Sequence, residues 1–221
     1  MFNNYQPVGK ETTTIRKILP ALVALGFAAF PLLTSAAQAE DQKAPQLHIR
    51  GTVETFSASV LKVKTREGET LDVTLADGWK ISAVARAQVT DIKPGDFVGI
   101  ASQPKAEGGD GALEVLIFPP ALRGAGEGSY GWDLKPGSSM TNATVAEAVK
   151  AADGRNITVT YKGGEKTITI PEGTPIVTFG PAATTDLQPG KVIFISGEKS
   201  PDGVISTRRV TVETNGVLPP M

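Results

Sequence analysis

The chain has 221 residues, with 22 Lys and Arg against 23 Asp and Glu, a single histidine and a net charge of −1 at pH 7. This balance lacks the clustered basic residues that nucleic-acid binding requires, so nucleic acid is not an expected partner. Because the chain has no cysteine, disulfides, thiolate metal sites and a cysteine nucleophile are all excluded.

Residues 1–39 have the order of a secretory signal peptide. Three basic residues precede the apolar run 18–33, which is followed by a small-x-small sequence at Ala37 and Ala39. The run is shorter than the roughly 20 apolar residues that a spanning helix needs. We expect cleavage after Ala39, no membrane span in the mature chain and a periplasmic location in a two-membrane bacterium. Retention of the segment as an anchor is the alternative.

The first predicted module covers residues 40–119 and is rich in β-branched residues, which favour strands. Alternation of apolar and polar residues on either side of a turn at Gly68 predicts a hairpin between its second and third strands. The segment between the third and fourth strands includes Ser82 to Ala87, for which we predict one or two helical turns. The five predicted strands are 51–54, 60–65, 71–75, 97–100 and 113–118.

A glycine-rich bridge, residues 120–142, follows the first module. It contains Arg123, Tyr130, Trp132 and Asp133, whereas a flexible linker needs no aromatic residues. These four residues are therefore the candidate binding residues, since aromatic and polar groups together are typical of ligand and partner sites. The alternative is that Trp132 fills the gap between two modules, because tryptophan is usually highly buried.

The second predicted module covers residues 143–221 and repeats the same order of strands. Turns are predicted at Asp153-Gly154, Gly163-Gly164 and Asp202-Gly203. A module of this size buries only about 60% of its unfolded surface, so we expect the two modules to pack together. Its predicted strands are 144–149, 156–161, 166–170, 192–195 and 204–212.

One sequence occurs in both modules: Asp91 to Ile100 returns as Asp186 to Ile195, each with Asp-x-x-Pro-Gly at its start. A repeat of this length indicates duplication of a small domain. Pro followed by Gly predicts a type II turn, with the aspartate accepting hydrogen bonds from nearby amides. The predicted fold is therefore all-β, with two tandem five-stranded OB-like barrels packed together after the signal peptide.

Few residues suggest catalysis or metal binding. His48 is the only histidine, and zinc or copper sites usually need several nitrogen or sulfur ligands, so we predict neither a metal site nor a cofactor. A serine hydrolase would have to use His48, and no Gly-x-Ser-x-Gly sequence is present. Trp79 is predicted to lie in the core, and Arg208 and Arg209 to point to opposite faces of the last strand.

The motifs also support a family resemblance, carried by Gly51-Thr52-Val53, Leu61-x-Val63 and residues 91–100, with their counterparts in the second copy. Both modules resemble a bacterial family of small exported β domains of unknown function, often found in tandem. The bridge sequence 128–133 is similar to exported proteins that are sometimes labelled metal ABC transporter permeases. A permease needs several spanning helices, which this sequence lacks. The resemblance implies a fold and supplies no catalytic residues.

The sequence therefore predicts a non-enzymatic exported binding or scaffold protein, whose partner is an envelope protein, a glycan or a small ligand. Two alternatives stay open: a periplasmic accessory protein of a metal transport system, and a hydrolase that uses His48. The oligomeric state is not predicted.

Overall fold

Twelve β-strands make up most of the described chain, which confirms the predicted all-β class. The computed structural model describes residues 46–151 and 154–219, so the predicted signal peptide lies outside the described residues. One-turn 3₁₀ helices occur at 89–91, 120–122 and 184–186. The strands are β1 Gln46–Ser57, β2 Val60–Thr65, β3 Thr70–Arg86, β4 Phe97–Pro104, β5 Asp110–Ile117, β6 Gly128–Gly131, β7 Ser139–Ala151, β8 Gly154–Tyr161, β9 Gly164–Pro171, β10 Ile176–Gly180, β11 Val192–Lys199 and β12 Ile205–Val212.

Within the described ranges, no helix is long and apolar enough to cross a membrane.

Five strands close a barrel in the order β1-β2-β3-β12-β11 and back to β1. The β3–β12 pairing is parallel and the other four are antiparallel. Alternate residues of each strand point inward, as the two-residue period of a strand requires. The interior is apolar, with Val63 and Val73 from the first half of the chain meeting Ile193 and Val210 from the second.

The strands β4, β5, β7, β8 and β9 form a second group, paired antiparallel in the order β5-β4-β7-β8-β9. β9 meets β5 again over two residue pairs, so this series of pairings also returns to its start. A separate apolar cluster fills the group, with Ile100 and Val115 from the first half and Ile157 and Ile168 from the second.

Each group of strands therefore combines both halves of the chain, whereas the sequence predicted one barrel from each module in succession. The difference begins in β3, whose 17 residues continue well beyond the predicted third strand. At about 3.3 Å per residue, such a strand is long enough to leave one group and reach the other. β4 and β5 consequently pair in the second group, and β11 and β12 return to close the barrel.

The predicted helical turns at residues 82–87 are wrong, because residues 82–86 form the end of β3. Ala83 to Arg86 pair with β10, and Ala83 also pairs with β12. Ala83 and Val84 are both buried. Hydrogen bonding to strands on both sides here outweighs the helix preference of alanine.

Both Pro-Gly sequences form type II turns, as predicted. Gly95 and Gly190 have φ values of +90° and +86° at the third turn position, which only glycine adopts easily. In both copies the next amide donates to the carbonyl three residues earlier. Asp91 and Asp186 each accept a 2.8 Å hydrogen bond from the amide three residues before them.

These turns also join the two halves. The Gly95 amide donates to the carbonyl of Val145 in β7, and the Gly190 amide donates to the carbonyl of Val53 in β1, both at 2.8 Å. In both cases the acceptor belongs to the other half of the chain. Ile92 and Leu187, next to the turns, are buried in the second group and in the barrel respectively. Each copy of the repeat therefore fastens a strand of the opposite copy.

The pairings of the two halves match when residue numbers are shifted by 95, the separation of Asp186 from Asp91. The β3–β12 pair Ala83↔Val212 then corresponds to the β10–β5 pair Ile117↔Thr178. The β3–β10 pairing maps onto itself under the same shift. The described strands thus have an approximate two-fold relation, centred between β3 and β10.

Candidate functional site: an aromatic groove

A groove of about 510 Å³ lies between the barrel and the second group of strands. Ligand sites for small molecules typically have volumes of about 300–1,000 Å³, so the size is suitable. Strands of both halves and the bridge contribute to its walls. We call it the aromatic groove after the six rings that border it: His48, Phe118, Tyr130, Trp132, Phe179 and Phe194.

The rings on one side of the aromatic groove are in contact with one another. The centroid of Trp132 lies 4.1 Å from that of His48, 6.4 Å from Phe194 and 6.4 Å from Tyr130. His48 and Phe194 also stack at 5.9 Å, because they lie diagonally across the β1–β11 pairing. Trp132 is half-buried and Tyr130 is 43% exposed, so this cluster keeps an accessible face.

The bridge is docked against the rest of the protein. Its strand β6, which the sequence did not predict, pairs with the start of β7, and this part of β7 pairs in turn with β4 of the first module. The Trp132 amide then donates to the carbonyl of Ser138 at 2.9 Å. The side chain of Asn142, only 8% exposed, donates to the Tyr130 hydroxyl at 3.1 Å and to the Ala125 carbonyl at 3.3 Å.

Asp133 fastens the bridge to β1. Arg50 Nη2 donates to Asp133 Oδ1 at 2.6 Å, and His48 Nδ1 lies 3.1 Å from Oδ2. Burial opposes ionisation of Asp133, but the hydrogen bonds and charges of Arg50 and His48 outweigh it, so the pKa of Asp133 lies below its usual value. Asp133 is thus an ionised anchor for the bridge.

Arg50 is a functional residue that sequence reasoning missed. It is only 6% exposed, and its guanidinium lies over Trp132 at 5.6 Å and over Phe194 at 5.4 Å. This cation–π geometry supports the ring cluster from behind. An arginine in an alternating strand gives no local signal of such a role, since Arg usually lies on the exposed face.

The four predicted binding residues are thus placed in three different settings. Tyr130 and Trp132 border the aromatic groove. Asp133 stands behind it as the anchor of the bridge. Arg123 lies elsewhere, exposed, with its guanidinium donating to the carbonyl of Gly95 in the first Pro-Gly turn.

Gly99 gives the aromatic groove part of its shape. A Cβ at this position would lie 2.7 Å from Asn142 Oδ1 and 3.1 Å from the Phe118 ring. Only glycine therefore lets these two side chains occupy their places beside β4.

Burial raises the pKa of Tyr130, which keeps its hydroxyl protonated next to Asn142.

Arg208 and Arg209 both border the aromatic groove. Ile205 before them and Val210 after them both belong to the barrel core, which regular alternation would not allow, so the prediction that the two arginines point to opposite faces is wrong. A β-bulge causes the difference, because the β11–β12 register shifts between Ile195 and Gly197. Thr207 Oγ1 closes the bulge, accepting from the Arg209 amide at 3.1 Å and donating to the Ser196 carbonyl at 2.9 Å. Both arginines are exposed.

The described residues contain no group of three or more His, Cys, Asp or Glu side chains arranged to hold a metal ion. His48, the candidate base of a hydrolase, contacts the Trp132 ring at a tilted angle and pairs with Asp133.

Comparisons of the chain with family models, with curated proteins and with solved structures found no match. The family resemblance based on the motifs therefore stays a prediction, and function is inferred from the aromatic groove.

Proposed function

We propose that the protein is a non-enzymatic, exported binding protein whose aromatic groove holds a small ligand with an apolar ring or chain. The observation that carries the proposal is the convergence of six rings, from both halves and the bridge, on a cavity of about 510 Å³. Concave sites with mostly apolar walls and a few polar groups are typical of small-molecule binding. A docked bridge places Tyr130 and Trp132 at such a site.

Trp132 is the central contact of this proposal. Its ring is held by His48 on one side and Arg50 behind, so its orientation is fixed before a ligand arrives. A preorganised aromatic surface loses little side-chain entropy on binding. The neighbouring Tyr130 leaves apolar surface open to solvent, which a ligand ring would cover.

The setting of the protein is part of the same proposal. The order β1-β2-β3-β12-β11 supports a relation to OB-like barrels, and the matching registers support duplication of one module. The basic, apolar and small-x-small sequence of residues 1–39 supports export to the periplasm.

The test uses N-phenyl-1-naphthylamine, a neutral aromatic probe whose fluorescence rises in apolar sites. Trp79→Phe provides a protein with Trp132 as its single tryptophan, since the chain has two. Trp79 packs on Phe56 at the barrel, outside the aromatic groove, so this variant is also the control. We expect saturable binding with energy transfer from Trp132.

Trp132→Ala should weaken binding of the probe at least about tenfold, as for loss of a central aromatic contact. Trp132→Phe should retain part of the affinity, and Tyr130→Ala should have a smaller effect of the same sign. Thermal melts by circular dichroism establish that each variant is folded. Unchanged probe affinity in folded Trp132→Ala and Tyr130→Ala proteins would overturn the proposal.

A further inference from the structure

The bulge in β12 places two arginines side by side at the edge of the aromatic groove. Arg208 and Arg209 together occupy the place opposite Ser196, where an unbroken strand would present one residue. Both border the aromatic groove and both are exposed. Bulges often re-aim side chains next to functional sites.

Neither arginine is neutralised by the residues that the structure describes. No described residue forms an ion pair with Arg208 or Arg209. Lys80, the register partner of Arg209 on β3, is a further exposed cation nearby, and it too lacks an ion pair among the described residues. Glu198 also borders the aromatic groove, at its Gln46 end, without pairing with either arginine. Adjacent like charges are unfavourable, and an anion bound between them would relieve the repulsion.

The buried arginine of the site is in a different state. Arg50 is held by Asp133 and covered by two rings, so its charge is already compensated. An anionic group on a ligand would therefore meet Arg208 and Arg209 first. Guanidinium groups suit this role, because their planar donors match carboxylate, sulfonate and phosphate oxygens.

We infer that the aromatic groove takes an anionic amphiphile, whose apolar ring or chain lies on Trp132 and whose acid group is bound by Arg208 and Arg209. This inference rests on the proposed function and adds the chemical class of the ligand. The apolar walls supply affinity for the body of the ligand, and the arginine pair selects for one charged end.

Two probes with the same ring system separate these contributions. 8-Anilinonaphthalene-1-sulfonate carries a sulfonate, whereas N-phenyl-1-naphthylamine is the neutral counterpart. Arg208→Gln with Arg209→Gln should weaken binding of the sulfonate roughly ten- to hundredfold, the range for a lost charge-assisted hydrogen bond. Binding of the neutral probe should change less than about twofold, because the charge is absent.

The matched control is Lys64→Gln with Arg66→Gln, which removes the same charge from exposed positions that do not border the aromatic groove. It should leave both probes unaffected. Arg208→Lys with Arg209→Lys keeps the charge and should restore much of the sulfonate affinity. Raising the salt concentration should weaken sulfonate binding to the wild type more than to the glutamine variant, since ions screen the pair.

This inference would be overturned if the arginine variant lost affinity for both probes equally. It would also be overturned if the arginine and control variants lost the same affinity for the sulfonate. In that case Trp132-dependent binding of the neutral probe would leave the proposed function standing. Neutral-probe binding that does not depend on Trp132 would instead overturn the proposed function, and absence of saturable binding of both probes would overturn both.

Discussion

Asp133 should stabilise the folded protein through its ion pair with Arg50, and Asp133→Asn removes the charge while keeping the size of the side chain. Arg50 is 6% exposed, so it would lose its partner in a poorly hydrated place. A hydrogen bond to a charged group contributes about 1.5–3 kcal/mol. Asp133 itself is 51% exposed and partly screened by water, so we expect the free energy of unfolding to fall by about 1–2 kcal/mol. The Tm should fall by about 2–8 °C for a chain of this size.

Urea unfolding followed by circular dichroism measures this change, and a double-mutant cycle with Arg50→Met isolates the pairwise contribution. Asp72→Asn is the matched control, because Lys62 and Asp72 form an exposed pair with side chains 40% and 63% accessible. Such a pair contributes about 0–1 kcal/mol. A cost for Asp133→Asn no greater than that for Asp72→Asn, or additive effects in the cycle, would refute the anchoring role of Asp133.

The pH dependence has a definite sign. The pKa of Asp133 is lower in the folded protein than its usual value, which is about 3.9 in unfolded chains. Its contribution to stability is therefore fully present above about pH 4 and is lost as the pH falls through the lower folded value. The difference in unfolding free energy between wild type and Asp133→Asn should therefore be constant near neutral pH and shrink as the pH falls below about 4. A difference that persists unchanged at pH 2 would contradict this assignment.

Two further predictions concern the fold. Gly51→Ala would place a Cβ 2.2 Å from the carbonyl oxygen of Lys64, so the free energy of unfolding in urea should fall by at least about 3 kcal/mol. Gly131→Ala is the control, because its Cβ would have nothing within 4 Å, and it should cost under about 1 kcal/mol. Similar costs for the two variants would be inconsistent with the β1–β2 packing. The separate fragments 40–119 and 120–221 should not melt cooperatively as monomers, because each group of strands needs both halves of the chain. Mixing the two fragments should restore a cooperative thermal transition. Cooperative melting of either monomeric fragment would contradict this prediction.

Local patterns in the sequence predicted most strands but could not predict their partners. The hairpin of residues 60–65 and 71–75 is present as β2 and β3. β10, at Ile176–Gly180, was missed because Gly180-Pro181 and the short apolar run suggested an irregular excursion. The alternation of apolar and polar residues shows which face of a strand is buried. The alternation does not change with the identity of the neighbouring strand, so it cannot predict the pairing. β4 and β5 lie in the second group and β11 and β12 in the barrel because β3 is long enough to reach from one group to the other. That length is a property of the tertiary structure.

The candidate site was predictable only where composition departed from expectation. Aromatic residues in a glycine-rich bridge identified Tyr130 and Trp132. Arg123 belonged to the same segment, yet it points to a turn instead. Phe194 and Phe179 looked like ordinary strand and loop residues, since their places at the aromatic groove depend on which strands pair. The arginine pair was misread because the regular period of a strand was assumed where a bulge interrupts it.

Comparison of the two copies within the chain contains a further signal for the site. Apolar positions that the copies share, such as Ile100 and Ile195, are buried in the cores. Several positions at which the copies differ border the aromatic groove instead. Paired by the shift of 95 residues, with the first copy given first, these are Gly99 with Phe194, Glu114 with Arg209, and Leu116 with Thr211. An exact two-fold arrangement would give the aromatic groove two equivalent ends. These differences leave Glu114 and Leu116 on one wall and Arg209 and Thr211 on the other, so the exposed arginines lie at one end only, as a ligand with a single acidic end requires.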